Sequence, residues 1–210
     1  DPAAVQRRLA ENHGITHVAV VHCETTTGIL NPVEEIGRLV RKAGATFIVD
    51  AMSSFGGIPL SISIAEIDFL ISSANKCIEG VPGFTFVLAR KEKLLKCDGN
   101  ARTVSLDLFE QWPGLETNGQ FGFTPPTHAL LAFAQALREL KAEGGVPGRA
   151  KRYQANHDAL LAGMKRLGFC PYLAPEHQSW IITAFHYPEH PAFRFEEFYR
   201  QLAARGPAVA

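Results

Sequence analysis

Short apolar runs alternate with helical repeats along residues 1–90, and this alternation restricts the fold more than any other feature of the chain. THVAVVHC carries a valine-rich run over 16–22, ATFIVD one over 45–50, DFLIS one over 68–72 and FTFVLAR one over 84–90. Each run is nearly continuous in apolar residues, which predicts strands buried on both faces. Between the first two lies EEIGRLVRKAG, where Val33, Ile36, Leu39 and Val40 fall on one helical face and Gly44 supplies the stop. Ahead of them, Asp1-Pro2 is a cap followed by proline at the first helical position, opening a helix that ends at Gly14. Asn31-Pro32 repeats that start, with Asn31 expected as the cap. Strands joined through helices predict an α/β fold with a mostly parallel central sheet flanked by helices. In such sheets ligands sit beyond the carboxyl ends of the strands. Three polar segments, ETTTG, DAMSS and SANKC, fall at those ends.

The second half has a different character. Pro125-Pro126 opens a long helix with Leu130, Ala134 and Leu137 on one face. GGVPG at 144–148 interrupts it, and a further helix follows with Tyr153, Leu160, Met164 and Leu167 as its apolar side. SWIITAFHY, 179–187, reads as a strand, and FEEFYRQLAARG closes as a helix. The expected division is a larger unit, 1–144, and a smaller α+β piece, 145–210.

Charge excludes some partners. Lys plus Arg and Asp plus Glu balance at 21 each, so no positive field draws nucleic acid or an anionic membrane surface. No run is apolar enough to span a bilayer, and the start shows no signal-peptide pattern. The chain opens at Asp1 rather than Met, which suggests cutting or processing. Cys23, Cys77, Cys97 and Cys170 form no CxxC pair, so they read as free, mostly buried thiols of a cytoplasmic protein. The eight histidines lack metal-ligand spacing, and no metal site is expected.

Several strand-end residues carry chemistry. Asp50 terminates FIVD. Its carboxylate either caps the next turn or pairs with a cationic ring nitrogen of a bound cofactor. Lys76 follows the third strand among small polar residues, with no other charge until Glu79. It is either a solvated loop lysine or, if desolvated, a nucleophile able to form a Schiff base. The two are one strand-to-strand crossover apart and can face one crevice. Thr25, Thr26 and Thr27 offer hydroxyls to a phosphate or phenolic oxygen, although for at least two of them a local turn bond is the simpler role. No GxGxxG, Walker or G-x-S-x-G pattern is present.

HCETTTGILNP, FIVDAMSSFGG and SSANKCIEGVPGF, in that order and spacing and extended by FTPPTHALLAFAQAL, resemble the class V aminotransferases. The likeness is greatest to the branch that moves an amino group from 2-aminoethylphosphonate to pyruvate. This resemblance implies an incomplete type I aminotransferase fold, pyridoxal 5'-phosphate as cofactor and a homodimer. It implies that Lys76 holds the cofactor as a Schiff base and shuttles the proton, while Asp50 pairs with the ring nitrogen. It implies that Thr25 lies near the phenolic oxygen, that Ser73 and Asn75 bind the phosphate, and that Thr124 reaches the phosphate of the neighbouring subunit. The products would be phosphonoacetaldehyde and alanine, by a ping-pong route. An alanine–glyoxylate type transaminase, a phosphonate-acting lyase or a catalytically incomplete fragment are the competing expectations. The family's N-terminal phosphate loop and stacking aromatic, and its C-terminal substrate-binding arginine, are expected to lie outside this sequence. Gly122 stands where a larger, often basic residue is expected.

Overall fold

The structure, a computed structural model, describes residues 1–206. Helix α1, Pro2–Glu11, is capped by the Asp1 carboxylate, which accepts from the Ala3 N–H at 2.9 Å. Strand β1, His17–Val21, is followed by α2, Val33–Lys42, then β2, Thr46–Asp50, β3, Phe69–Ser73, and β4, Thr85–Ala89. The sheet order is β1-β2-β3-β4. The first three strands run parallel, in the register Val21↔Asp50↔Ile71, and β4 returns antiparallel with Ser73↔Thr85. This is the α/β arrangement that the alternating pattern predicts.

One face of the sheet is sealed by α1 and α2. Leu9, Val33, Ile36, Val40, Phe47, Val49, Ile67 and Leu70 form its buried core. Each such side chain contributes about 1.5–3 kcal/mol through burial. Helix α2 comes so close to the 61–65 turn that a Cβ on Gly37 would lie 1.9 Å from the Ala65 carbonyl oxygen. On the other side, Phe86 meets the rings of Phe55 and Phe133 at 5.9 and 5.6 Å.

Beyond the sheet come α3, Lys91–Leu94, α4, Leu108–Asn118, α5, Thr127–Ala142, α6, Gly145–Arg166, and α7, Phe195–Ala203. The amino-terminal ends of β2 and β3 are tied by Asp68. Its carboxylate accepts from the Phe47 N–H at 2.9 Å and pairs with Arg90 and Lys93. The charges at that end are spent on structure. Among the described residues no helix is long and apolar enough to cross a membrane.

Five expectations need correction. Asn31 is not the α2 cap: Pro32 is, and the Asn31 amide instead donates to the Val21 carbonyl at 2.8 Å, holding the end of β1. Strands β1 and β4 are not buried on both faces, because they lie at the two edges of the sheet and hold only exposed and half-buried residues. Residues 179–187 form no strand. Their backbone pairs with 170–172 only at Tyr172 and His186, and the Gln178 side chain takes the Ser179 and Ile182 carbonyls that a ladder would need. On α5 the buried face is Ala129, Ala136 and Leu140, while Leu137 is exposed. On α6 the buried residues are Arg149 and Ala150, and Leu160 is exposed. Cys23 and Cys77 are buried free thiols as expected, but Cys170 is exposed.

Candidate active site

The carboxyl ends of β1, β2 and β3 are aligned by the parallel register, so the loops leaving them share one rim of the sheet. Thr25 lies in the loop after β1, Asp50 is the last residue of β2, and Ser73 is the last residue of β3. Asn75 and Lys76 follow in the turn beyond it.

The threonines divide by role. The Glu24 carboxylate accepts from the backbone N–H and the hydroxyl of both Thr26 and Thr27. The Thr26 hydroxyl bond does most to hold the Glu24 carboxyl below its ordinary range. Thr25 is left out of this knot. Its Oγ1 lies 3.0 Å from the Ser53 Oγ, in the turn after Asp50. Asp50 is half-buried, and its Oδ1 accepts from the Met52 N–H at 2.8 Å, closing that turn. Below it, His22 donates its backbone N–H to the Asp50 carbonyl at 2.7 Å, while its Nδ1 lies 2.9 Å from the Ser54 Oγ. Burial pushes the His22 imidazole down to about 4.

Ser73 is 5% exposed, and its hydroxyl has no hydrogen-bond partner. An unpaired buried hydroxyl costs about 1–3 kcal/mol. Lys76 is exposed and makes no hydrogen bond or ion pair through its amine among the described residues, although Ala74, Cys77 and Ile78 around it are buried. Cys77 donates its thiol to the Ser53 carbonyl at 3.3 Å, so Ser53 joins all three loops. Burial pushes that thiol up to about 12. Thr124 is apart from these residues in sequence. It lines a groove with Thr85, Phe84, Phe121 and Pro125, and Thr85 is the register partner of Ser73.

Ser53, Glu79 and Arg149 did not stand out in the sequence. Ser53 lay inside the strand-end segment DAMSS, a usable signal. Arg149 lies in the basic stretch GRAKR. Nothing in the spacing marks it as buried.

The fold, an α/β sheet with polar loops at the carboxyl ends of its parallel strands, is that of a known family of enzymes. The class V aminotransferase family model matches residues 1–204, and the chain belongs to that family. It is 56% identical over 207 residues to the 2-aminoethylphosphonate–pyruvate transaminase of Salmonella heidelberg, an alignment covering 98% of this chain and 56% of the relative. The chain thus spans little more than half the length of the curated relatives it matches. In structure it resembles the pyridoxamine-pyruvate aminotransferase of Mesorhizobium loti, with a TM-score of 0.86 and 28% identity over 95% of this chain and 51% of that one. It also resembles the ureidoglycine-glyoxylate aminotransferase of Bacillus subtilis, with a TM-score of 0.84 and 25% identity over 98% of this chain and 53% of that one. The fold is therefore the type I aminotransferase fold, represented in part.

Proposed function

We propose that this chain is the lysine-bearing part of a pyridoxal-phosphate-dependent transaminase that moves the amino group of 2-aminoethylphosphonate to pyruvate. The observation that carries the proposal is the placement of Thr25, Asp50 and Lys76 at the carboxyl ends of three adjacent parallel strands, beside the buried, unpartnered hydroxyl of Ser73. The choice of substrates rests on the 56% identity to the Salmonella relative and on its name.

The residues fit the cofactor. A carboxylate, an amine and several hydroxyl and amide donors on one rim match a cationic ring, an aldehyde and a phosphate. Pyridoxal phosphate, when bound, supplies a ring that absorbs carbanion charge. Lys76 would hold it through its Nζ and, once the incoming substrate amine has displaced that nitrogen, the freed Nζ would be the group placed to move a proton between substrate and cofactor carbons. The Asp50 carboxylate, one oxygen of which is fixed by the Met52 N–H, would keep the ring nitrogen protonated. Thr25 would offer its hydroxyl to the phenolic oxygen, and Ser73 and Asn75 would offer donors to the phosphate. Thr124 serves the phosphate of a second subunit, which makes a homodimer the working form. The free cysteines suit a reducing, cytoplasmic setting.

The test uses the full-length protein that contains this segment. Mixed with pyridoxal phosphate, it is expected to show a visible band that borohydride removes, leaving a pyridoxyl group on Lys76. Alanine should then form from 2-aminoethylphosphonate and pyruvate. An adduct mapped to another lysine would overturn the site. A correct adduct with no alanine from this amine would overturn the substrate.

A further inference from the structure

Lys76 lies in a turn that its own sequence supports poorly. Two backbone bonds close the turn, from Glu79 N–H to the Lys76 carbonyl at 2.8 Å and from Gly80 N–H to the Ala74 carbonyl at 2.9 Å. Glu79 has φ 63°, a left-handed conformation that non-glycine residues rarely adopt. Residues held this way persist only where the surroundings over-determine them.

The surroundings here are the corner between α5 and α6. Glu79 accepts from the Tyr153 hydroxyl at 2.6 Å and from Arg152 at 2.9 Å. Arg149, one turn into α6, is 2% exposed. One of its terminal nitrogens donates to the Cys77 carbonyl at 2.6 Å, on the residue directly after Lys76, and lies 3.3 Å from the Glu79 carboxylate. Its Nε donates to Glu143 at 2.5 Å, and Arg152 donates to the same carboxylate at 2.6 Å. The corner is itself tightly closed. A Cβ on Gly148 would lie 2.0 Å from the Glu143 carbonyl oxygen, so α6 starts in direct contact with the end of α5. A buried guanidinium is a weak source of stability, because desolvation offsets much of the pairing and an apolar residue of similar volume often serves as well. What the planar fork adds is geometry: two anchors, one on the corner and one on the lysine turn.

We infer that Arg149 is a positioning residue for Lys76, holding the turn that presents the lysine amine against the α5–α6 corner. The inference rests on the reading of Lys76 as the cofactor lysine. Its consequence is kinetic, since displacing a reacting group by about 1 Å can cost on the order of a hundredfold in rate.

The experiment uses the full-length protein with Arg149→Met, Arg149→Lys and Glu143→Gln. Glu143 is partly exposed, so its variant keeps the question answerable if Arg149→Met does not fold. Hydrogen exchange is followed at the Glu79 and Gly80 amides without cofactor, and kcat and KM are measured separately with it. Arg149→Met should speed exchange in the turn but not in β2. It should also lower kcat by about tenfold or more with KM for pyruvate nearly unchanged. Arg149→Lys should recover part of the loss, and Glu143→Gln should move both readouts the same way by less. Wild-type exchange and kcat in the folded variants would overturn the inference, and so would faster exchange with unchanged kcat. If the wild-type protein itself traps no cofactor on Lys76, the proposed function fails first, and that failure is visible before any variant is made.

Discussion

The hydroxyls of Thr25 and Ser53 lie 3.0 Å apart, joining the loop after β1 to the loop after β2. Thr26 and Thr27 are spent on Glu24, so of the three threonines only Thr25 keeps its hydroxyl outside that knot. Ser53→Ala should leave Thr25 less well aimed and weaken pyridoxal phosphate binding by about 1 kcal/mol, the worth of one net hydrogen bond. Thr25→Val should weaken it more. Thr26→Val should loosen the loop and leave cofactor affinity nearly intact. Absorbance titration with the cofactor gives all three values. Equal losses for Thr25→Val and Thr26→Val would remove the distinction between them.

Lys76→Ala should separate chemistry from stability. The amine makes no hydrogen bond or ion pair among the described residues, and the residue is exposed. Its removal should change unfolding free energy by no more than about 0.5 kcal/mol. The borohydride-reducible band should nevertheless disappear. Denaturant unfolding of the cofactor-free protein, set beside the visible spectrum, checks both halves.

The sheet was legible because continuous apolar runs leave few alternatives. Phe47, Val49 and Leu70 are buried in the strands where the pattern put them. The strand ends were legible too, since polar residues directly after such runs have nowhere else to go. Helix α4 was not: it carries Pro113 and buries nothing, so no apolar stripe announces it. SWIITAFHY misled because β-prone side chains need a strand partner to become a strand. Here Gln178 and Ser179 satisfy the local backbone instead. Arg149 was invisible because burial of a cation depends on two carboxylates, Glu79 and Glu143, and on the Cys77 carbonyl, a tertiary fact.

Thiol reactivity should follow burial. Cys77 sits beside Lys76, yet desolvation pushes its thiol up to about 12, with a smaller contribution from Cys23. Burial raises Cys23 as well, against a hydrogen bond to Ser179 that acts the other way. The thiolate is the reactive form, so both should resist alkylation at neutral pH. Cys170 is exposed and should label first. Timed iodoacetamide labelling with peptide mapping gives the order. Early modification of Cys77 in the folded protein would contradict its burial beneath the lysine turn.

His22 should give the fold an acid-sensitive point directly beneath the candidate site. Burial lowers its imidazole from an ordinary 6.5 to about 4, so the folded state binds the proton less readily than the unfolded chain. The stability this represents is fully present above about pH 6.5 and is lost as pH falls to about 4. The loss amounts to at most about 3 kcal/mol, and less if the buried ring gains water as it charges. Because the His22 backbone holds the Asp50 carbonyl and its ring holds Ser54, protonation should loosen the end of β2 before the rest of the sheet. His22→Gln keeps a partner for Ser54 but removes the titration. Its unfolding free energy, measured by denaturant between pH 7 and pH 4, should therefore fall less steeply than that of the wild type (an interval of about three pH units, within which linkage predicts the divergence). Parallel curves would mean that the imidazole takes up its proton as easily folded as unfolded, and that the cavity around it is wetter than its burial implies.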